Sequence, residues 1–379
     1  MNRKSLLWIL LAIAIIIGGW FVWKKNSAQS NTVKIGAILP LTGSGANYGK
    51  SLKQGIDIAV EEVNNSGGIN GRMLEIVYED TKSDAKEGVS AFKKVVAFDR
   101  VPIVIGSLSS IILACQPVAD SAHIVLINSS AISPKICEKA DNFLFSLMVN
   151  GGAEAKFIAN YFCKNYPSEK IAVLYSNNSS GKDTKDIFSK EMQAICGITP
   201  YEQSYELNSP DFRSQLNNIK LSKAKYCFLL AFSSKEFADI LNQSKELNMG
   251  VQWISYSGIE TKETLEFAGN SANDLIYSYP KYNPADTLYS NFQKKYSKRY
   301  NSWADIYTVT SYDGVKYLAN IMTKYGISAL NIQNGLRNTP TYNGIFGNIS
   351  FSKNKQYVEK ELIWKKIENN EYNILDYEK

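Results

Sequence analysis

Histidine is nearly missing from this 379-residue chain: His123 is the only one. Zinc sites of the HExxH type need two on one helical face, so that chemistry is excluded. A hydrolytic triad would have to use His123, which heads the apolar run HIVLIN and reads as a structural residue at a strand end. Cysteine is sparse as well. Cys115, Cys137, Cys163, Cys196 and Cys227 form no CxxC pair, which argues against a zinc ribbon and a thioredoxin-type centre. Their spacing does not decide between disulfides and buried thiols, and five leave at least one unpaired within a monomer. A basic excess is also lacking. Of 42 Lys and Arg residues, Arg3, Lys4, Lys24 and Lys25 lie in the first thirty positions, which leaves 38 against 36 Asp and Glu. The remainder has no global charge for nucleic acid, and its mixed signs read as a solvated surface. No paired-carboxylate, metal or nucleophile constellation stands out, so neither catalysis nor a cofactor is expected.

A nucleotide loop is approached and missed. In GSGANYGKS, Gly49-Lys50-Ser51 matches the end of a Walker A loop, but the first glycine of that pattern falls on Ser44. Gly43, Gly45 and Gly49 are spaced GxGxxxG, not as the dinucleotide GxGxxG. The loop still joins an apolar strand to a helix, the usual place for a ligand in an α/β protein. Gly43 and Gly45 permit a tight turn there.

What is present begins with an uncharged run, Ser5 to Trp23, bounded by basic residues on both sides. It has about the 20 residues that cross a bilayer, and Trp20 and Trp23 sit where interfacial aromatics belong. Residues 1–25 are expected to be a transmembrane anchor, with a cleaved signal as the alternative, and 26–32 a polar linker. The remainder would lie outside the cytoplasm, periplasmic or at the cell surface if anchored, secreted if cleaved.

Beyond the linker, strand and helix patterns alternate. VKIGAILP is a nearly continuous apolar run, as in a strand buried on both faces. Leu52, Ile56, Ala59, Val60 and Val63 share one helical stripe. MLEIVYED, VPIVIGS and HIVLINSS follow as strands with helices between them, and the alternation restarts after DNFLFSLMV. The fold class is α/β, with two units of mainly parallel sheet built by right-handed crossovers.

The run VKIGAILPLTGSGANYGKSLKQGIDIAVEEVNNSGGINGRMLEIVYEDTKSD, followed by VIGSLSS, INSSAISP, SYDGVKYL and YNGIFGNISFSKN, resembles the branched-chain amino acid (Leu/Ile/Val) binding proteins. These are type I periplasmic-type substrate-binding proteins of ABC importers. The resemblance spans about Val33 to Tyr372. It implies two Rossmann-like lobes joined by a three-segment hinge, with 31–149 and 277–343 in lobe 1 and 150–276 and 344–379 in lobe 2. It also implies a small-molecule ligand in the cleft and an ABC permease as partner.

The resemblance carries over residue by residue. The family serine that binds the ligand carboxylate falls on Ser110, beside Ser109. A helix begins there, so free N–H groups also favour an anion; capping of that helix is the alternative role. Ser130 takes a backbone contact, and Ile132 replaces a family threonine. Tyr48 and Tyr307 match aromatics that flank the ligand. The second lobe departs further. Ser180 stands for a family tyrosine, and Phe232 or Ser233 for another. In the loop of Tyr256 and Ser257, the family acid that binds the ammonium group becomes Ser257, with Glu260 three residues on. A buried ammonium needs a charge partner or a full set of acceptors. The expected ligand is therefore a small polar organic solute, an amino acid or a related amide or carboxylate. A ligand sensor of the same fold is the alternative function.

Overall fold

The computed structural model describes residues 31–375 except 137, 139–141, 340 and 352–355. The expected anchor 1–25, most of the linker 26–32 and Cys137 lie outside the described residues. Among the described residues no helix is long and apolar enough to cross a membrane.

The first unit runs β1 (Thr32–Leu39), α1 (Ala46–Asn65), β2 (Met73–Asp80), α2 (Ala85–Ala97), β3 (Ile103–Gly106), α3 (Ser109–Ala122), β4 (Val125–Asn128) and β5 (Leu144–Ser146). Its strands are all parallel, in the order β2-β1-β3-β4-β5. Ile35, Ala37 and Leu39 of β1 face a core shared with Leu52 and Ile56 of α1. Ile38 faces the opposite core, with Phe92 of α2 and Ile111 of α3. Burial on both faces explains why β1 reads as a continuous apolar run.

The second unit runs α4 (Gly151–Asn165), β6 (Ile171–Ser176), α5 (Ser179–Cys196), β7 (Tyr201–Tyr205), α6 (Arg213–Ser222), β8 (Tyr226–Leu230), α7 (Ser234–Glu246), β9 (Gln252–Ser255), α8 (Lys262–Ala268) and β10 (Ile276–Pro280). Then come α9 (Thr287–Tyr300), α10 (Ile306–Tyr325), α11 (Ala329–Asn338), the hairpin β11 (Tyr342–Gly344) and β12 (Gly347–Ile349), and finally β13 (Leu362–Glu368) and β14 (Glu371–Ile374). The second sheet has the order β14-β13-β10-β9-β8-β6-β7, with every strand parallel except β13, which pairs antiparallel with both neighbours. Cys163 of α4 and Cys196 of α5 form a disulfide, while Cys115 and Cys227 are buried free thiols.

The expected return of the chain at residue 277 falls inside β10, a strand of the second sheet. The edges of β10 are taken by β9 in parallel and by β13 in antiparallel, so its backbone belongs there. The return follows Pro280. α10 then packs along α1, where a Cβ on Gly55 would collide with the Thr308 carbonyl and Ser311 Oγ. Ser51 Oγ donates to Asp305 at 2.7 Å and Ser311 Oγ to the Leu52 carbonyl at 2.9 Å along the same seam. After Pro280, α10 lies against the first unit, and β13 then adds to the second sheet beside β10.

Candidate ligand-binding cleft

The ends of the parallel strands turn into helices, and these turns face one another across the two units. In the first turn, Asp80 accepts from Leu41 N, Thr42 N and Thr42 Oγ1 at 2.9, 3.2 and 2.6 Å. This fixes residues 41–42 against the end of β2. Gly43 has a φ of 85°, and a Cβ on Gly49 would collide with the Pro40 carbonyl. Gly45 N donates to Ser83 Oγ at 2.9 Å, so that N–H is not free for a phosphate. The near-nucleotide spacing is thus a packing feature of the turn.

The turns after β3 and β4 are bound to each other. Ser130 Oγ accepts from Leu108 N at 3.2 Å and lies 2.7 Å from Ser107 Oγ. Ser109 Oγ accepts from Ser133 N at 3.2 Å. Asn128, fully buried, holds the second turn by accepting from Ala131 N at 2.7 Å and donating to the Ala131 carbonyl at 2.7 Å. Leu108 precedes α3 with a φ of 65°, a left-handed conformation that costs energy for a leucine. Ser109 and Ser110 then form the first turn of α3, with N–H groups that no carbonyl of the helix can reach.

From the second unit, Asn178 caps α5 by accepting from Gly181 N at 2.8 Å. Tyr256 donates to the Ala231 carbonyl at 2.6 Å, and its ring centroid is 5.8 Å from that of Phe232. Tyr307 donates to the Gly258 carbonyl at 3.3 Å, and its ring centroid is 4.7 Å from that of Tyr48.

These turns enclose a cleft of about 740 Å³ including its open mouth. Nine of the predicted residues line it: Tyr48, Ser109, Ser110, Ser130, Ile132, Ser180, Phe232, Tyr256 and Tyr307. Ser233 and Ser257 do not. Ser233 caps α7, accepting from Glu236 N at 3.2 Å. Ser257 is fully buried, and its N–H and Oγ both donate to Glu154, at 2.9 and 2.8 Å. Glu260 is spent elsewhere: it pairs with Lys365 at 2.6 Å and accepts from Tyr277. His123 is exposed at the C-terminal end of α3, outside the cleft lining.

The cleft also takes in Ser44 and Gly45 of the opening loop, and Ser83, Leu108, Ala131, Asn178, Ser179 and Leu207, which no motif singled out. Most belong to the same turns as predicted residues, so adjacency was the available signal. Glu154 was also missed. It lies on the face of α4 that carries Ile158 and Phe162, and an acid on an apolar stripe is a readable anomaly. Burial pushes its carboxyl up to about 7, against the opposing effect of hydrogen bonds from Ser278 and Ser257. Burial also raises the tyrosine hydroxyls of Tyr256 and Tyr307, so both phenols are neutral donors.

Among the described residues the lining holds no Asp, Glu, Lys, Arg or His. It combines serine hydroxyls and helix N-termini with aromatic and aliphatic walls, an arrangement suited to a small organic solute.

Residues 32–367 match the family described as periplasmic binding protein. A Leu/Ile/Val-binding protein homolog 2 from Brucella abortus (strain 2308) is 24% identical over 351 residues, covering 90% of this chain and 92% of that protein. A leucine-binding protein from Thermotoga maritima has a similar structure, with a TM-score of 0.83, 20% identity, and 91% and 98% of the two chains covered. A solute-binding protein of an ABC transporter from Rhodopseudomonas palustris, solved with 3,4-dihydroxy benzoic acid, also has a TM-score of 0.83, with 20% identity and 91% and 96% covered. With its two mainly parallel sheets and a cleft lined from both units, the chain belongs to the periplasmic binding protein family, in the type I fold.

Proposed function

We propose that this chain is the extracytoplasmic solute-binding protein of an ABC importer and that it holds a small organic solute between two closing lobes. The observation that carries the reading is the cleft, lined by first-turn residues of α3 on one side and α5 on the other. The lobes of this reading are 31–149 with 281–349, and 150–280 with 358–375. In this reading three crossings join the lobes, and a solute touching both lobes favours the closed form. The disulfide between Cys163 and Cys196 suits an oxidising compartment. Residues 1–25 would hold the protein at the membrane beside its permease. The names of the relatives put amino acids and organic acids among the solutes to try.

The test is calorimetry on the full chain in detergent against amino acids, amides and small carboxylates, followed by small-angle scattering on any complex. One-to-one binding with a smaller radius of gyration is expected. A panel that binds nowhere would sink the reading, and so would binding without compaction.

A further inference from the structure

We propose that the solute is a hydrophobic monocarboxylate without an ammonium group. The inference rests on the solute-binding reading and names the ligand class within it.

An α-amino acid brings a fixed positive charge into the closed cleft. That charge needs a carboxylate or a complete set of acceptors, because a buried ion without them costs several kcal/mol by general transfer estimates. The lining offers no carboxylate among the described residues. The acids behind the wall are already engaged. Glu154 takes Ser257 N, Ser257 Oγ and Ser278 Oγ. Glu236 takes Asn208 N at 2.8 Å and Phe232 N at 3.4 Å. Asp305 takes Ser51 Oγ, Thr308 N and Thr308 Oγ1. Glu260 is held by Lys365.

Ser257 is fully buried and outside the lining. A Cβ on the next residue, Gly258, would collide with the ring of Tyr256 and come within 2.9 Å of the Tyr307 hydroxyl. Both phenols line the cleft beside Gly258. Their hydroxyl hydrogens go to backbone carbonyls, at Ala231 and Gly258.

An anion, by contrast, is provided for. The cleft is lined by the first turns of α3 (Ser109, Ser110) and of α5 (Ser179, Ser180), and by Gly45 at the start of α1. Two helix N-termini, those of α3 and α5, bring partial positive charge and serine hydroxyls to the lining. Beside the serines, Tyr48, Tyr307, Phe232 and Ile132 supply walls for an aromatic or branched body.

The decisive comparison uses two probes that share a carbon skeleton: L-leucine and 4-methyl-2-oxopentanoate, with benzoate as an aromatic monocarboxylate. Titration of the full chain in detergent should give at least ten-fold tighter binding for the oxo acid or benzoate than for leucine. Leucine binding as tightly as both, or more tightly, overturns the inference while leaving the solute-binding reading intact. Failure of all three also overturns it, and the wider panel then judges the solute-binding reading separately. Ser110→Asp, at an exposed position, should keep the unfolding midpoint and lose at least ten-fold in carboxylate affinity. Unchanged affinity in that variant would overturn the anion end assigned to α3.

Discussion

Ser257 donates both its backbone N–H and its hydroxyl to the carboxylate of Glu154, at 2.9 and 2.8 Å, across 103 residues of chain. Ser278 Oγ completes the set. One buried acid on α4 thereby ties down the turn after β9 and strand β10. It also removes Ser257 from the ligand surface, because both donors of that residue are used inside the fold.

The same acid sets a pH dependence. Its folded value of about 7 lies above the ordinary 4.5. A raised carboxyl costs nothing while it is protonated in both states, below 4.5. Its cost grows as pH rises and is complete above about 7, where it reaches about 3 kcal/mol. Glu154→Gln keeps an acceptor and a donor and carries no charge. Relative to the natural protein it should gain about 3 kcal/mol between pH 4.5 and pH 8, read as the difference in urea unfolding at the two values. A difference that does not vary with pH would show that Glu154 titrates normally.

Lys365 and Glu260 form a buried pair at 2.6 Å, and the ammonium lies 4.5 Å from the ring centroid of Tyr279. Lys365→Met leaves Glu260 as an unpaired buried charge. The expected loss is about 3–5 kcal/mol. Adding Glu260→Gln should recover most of it. A double variant as unstable as the single one would mean that packing of the lysine stem, not charge, decides the cost.

The disulfide closes a 33-residue separation between α4 and α5. Chain entropy assigns such a crosslink about 3–4 kcal/mol. Cys196→Ser should lower the urea midpoint accordingly, and reductant should have no further effect on the variant. Equal midpoints for natural protein and variant would show that the two sulfurs are not joined in solution.

Asn47 Nδ2 donates to Ser234 Oγ at 2.9 Å, joining the start of α1 to the start of α7 across the cleft. If the closed form binds the solute, Asn47→Ala removes a bond that stabilises that form. A neutral hydrogen bond contributes about 1 kcal/mol, so affinity should weaken about five-fold. Calorimetry with any solute found by the panel reads this directly. Full affinity in the variant would place the bond outside the closing step.

Much of the cleft was legible because its residues sit next to readable signals. The family resemblance points to Ser109, Ser110 and Ser130, and the structure puts all three in turns that follow apolar strands. Ser257 was different: its alignment position was readable, but its side chain points to an acid 103 residues away. Glu260 shows the same limit, since its partner Lys365 lies on β13. β10 shows the limit on a larger scale, because strand propensity says nothing about which sheet will take its edges.

Local chemistry was enough to set the alternation of strands and helices, the polar turns between them and the shortage of catalytic groups. Those features depend on hydrophobic periodicity and on residues within a turn or two of each other. The sheet that takes β10, the joining of Cys163 to Cys196, and the engagement of Glu154 and Glu260 were settled by the tertiary structure. Each depends on groups brought together from distant positions, and burial, rather than spacing, determines which of them remain available to a ligand.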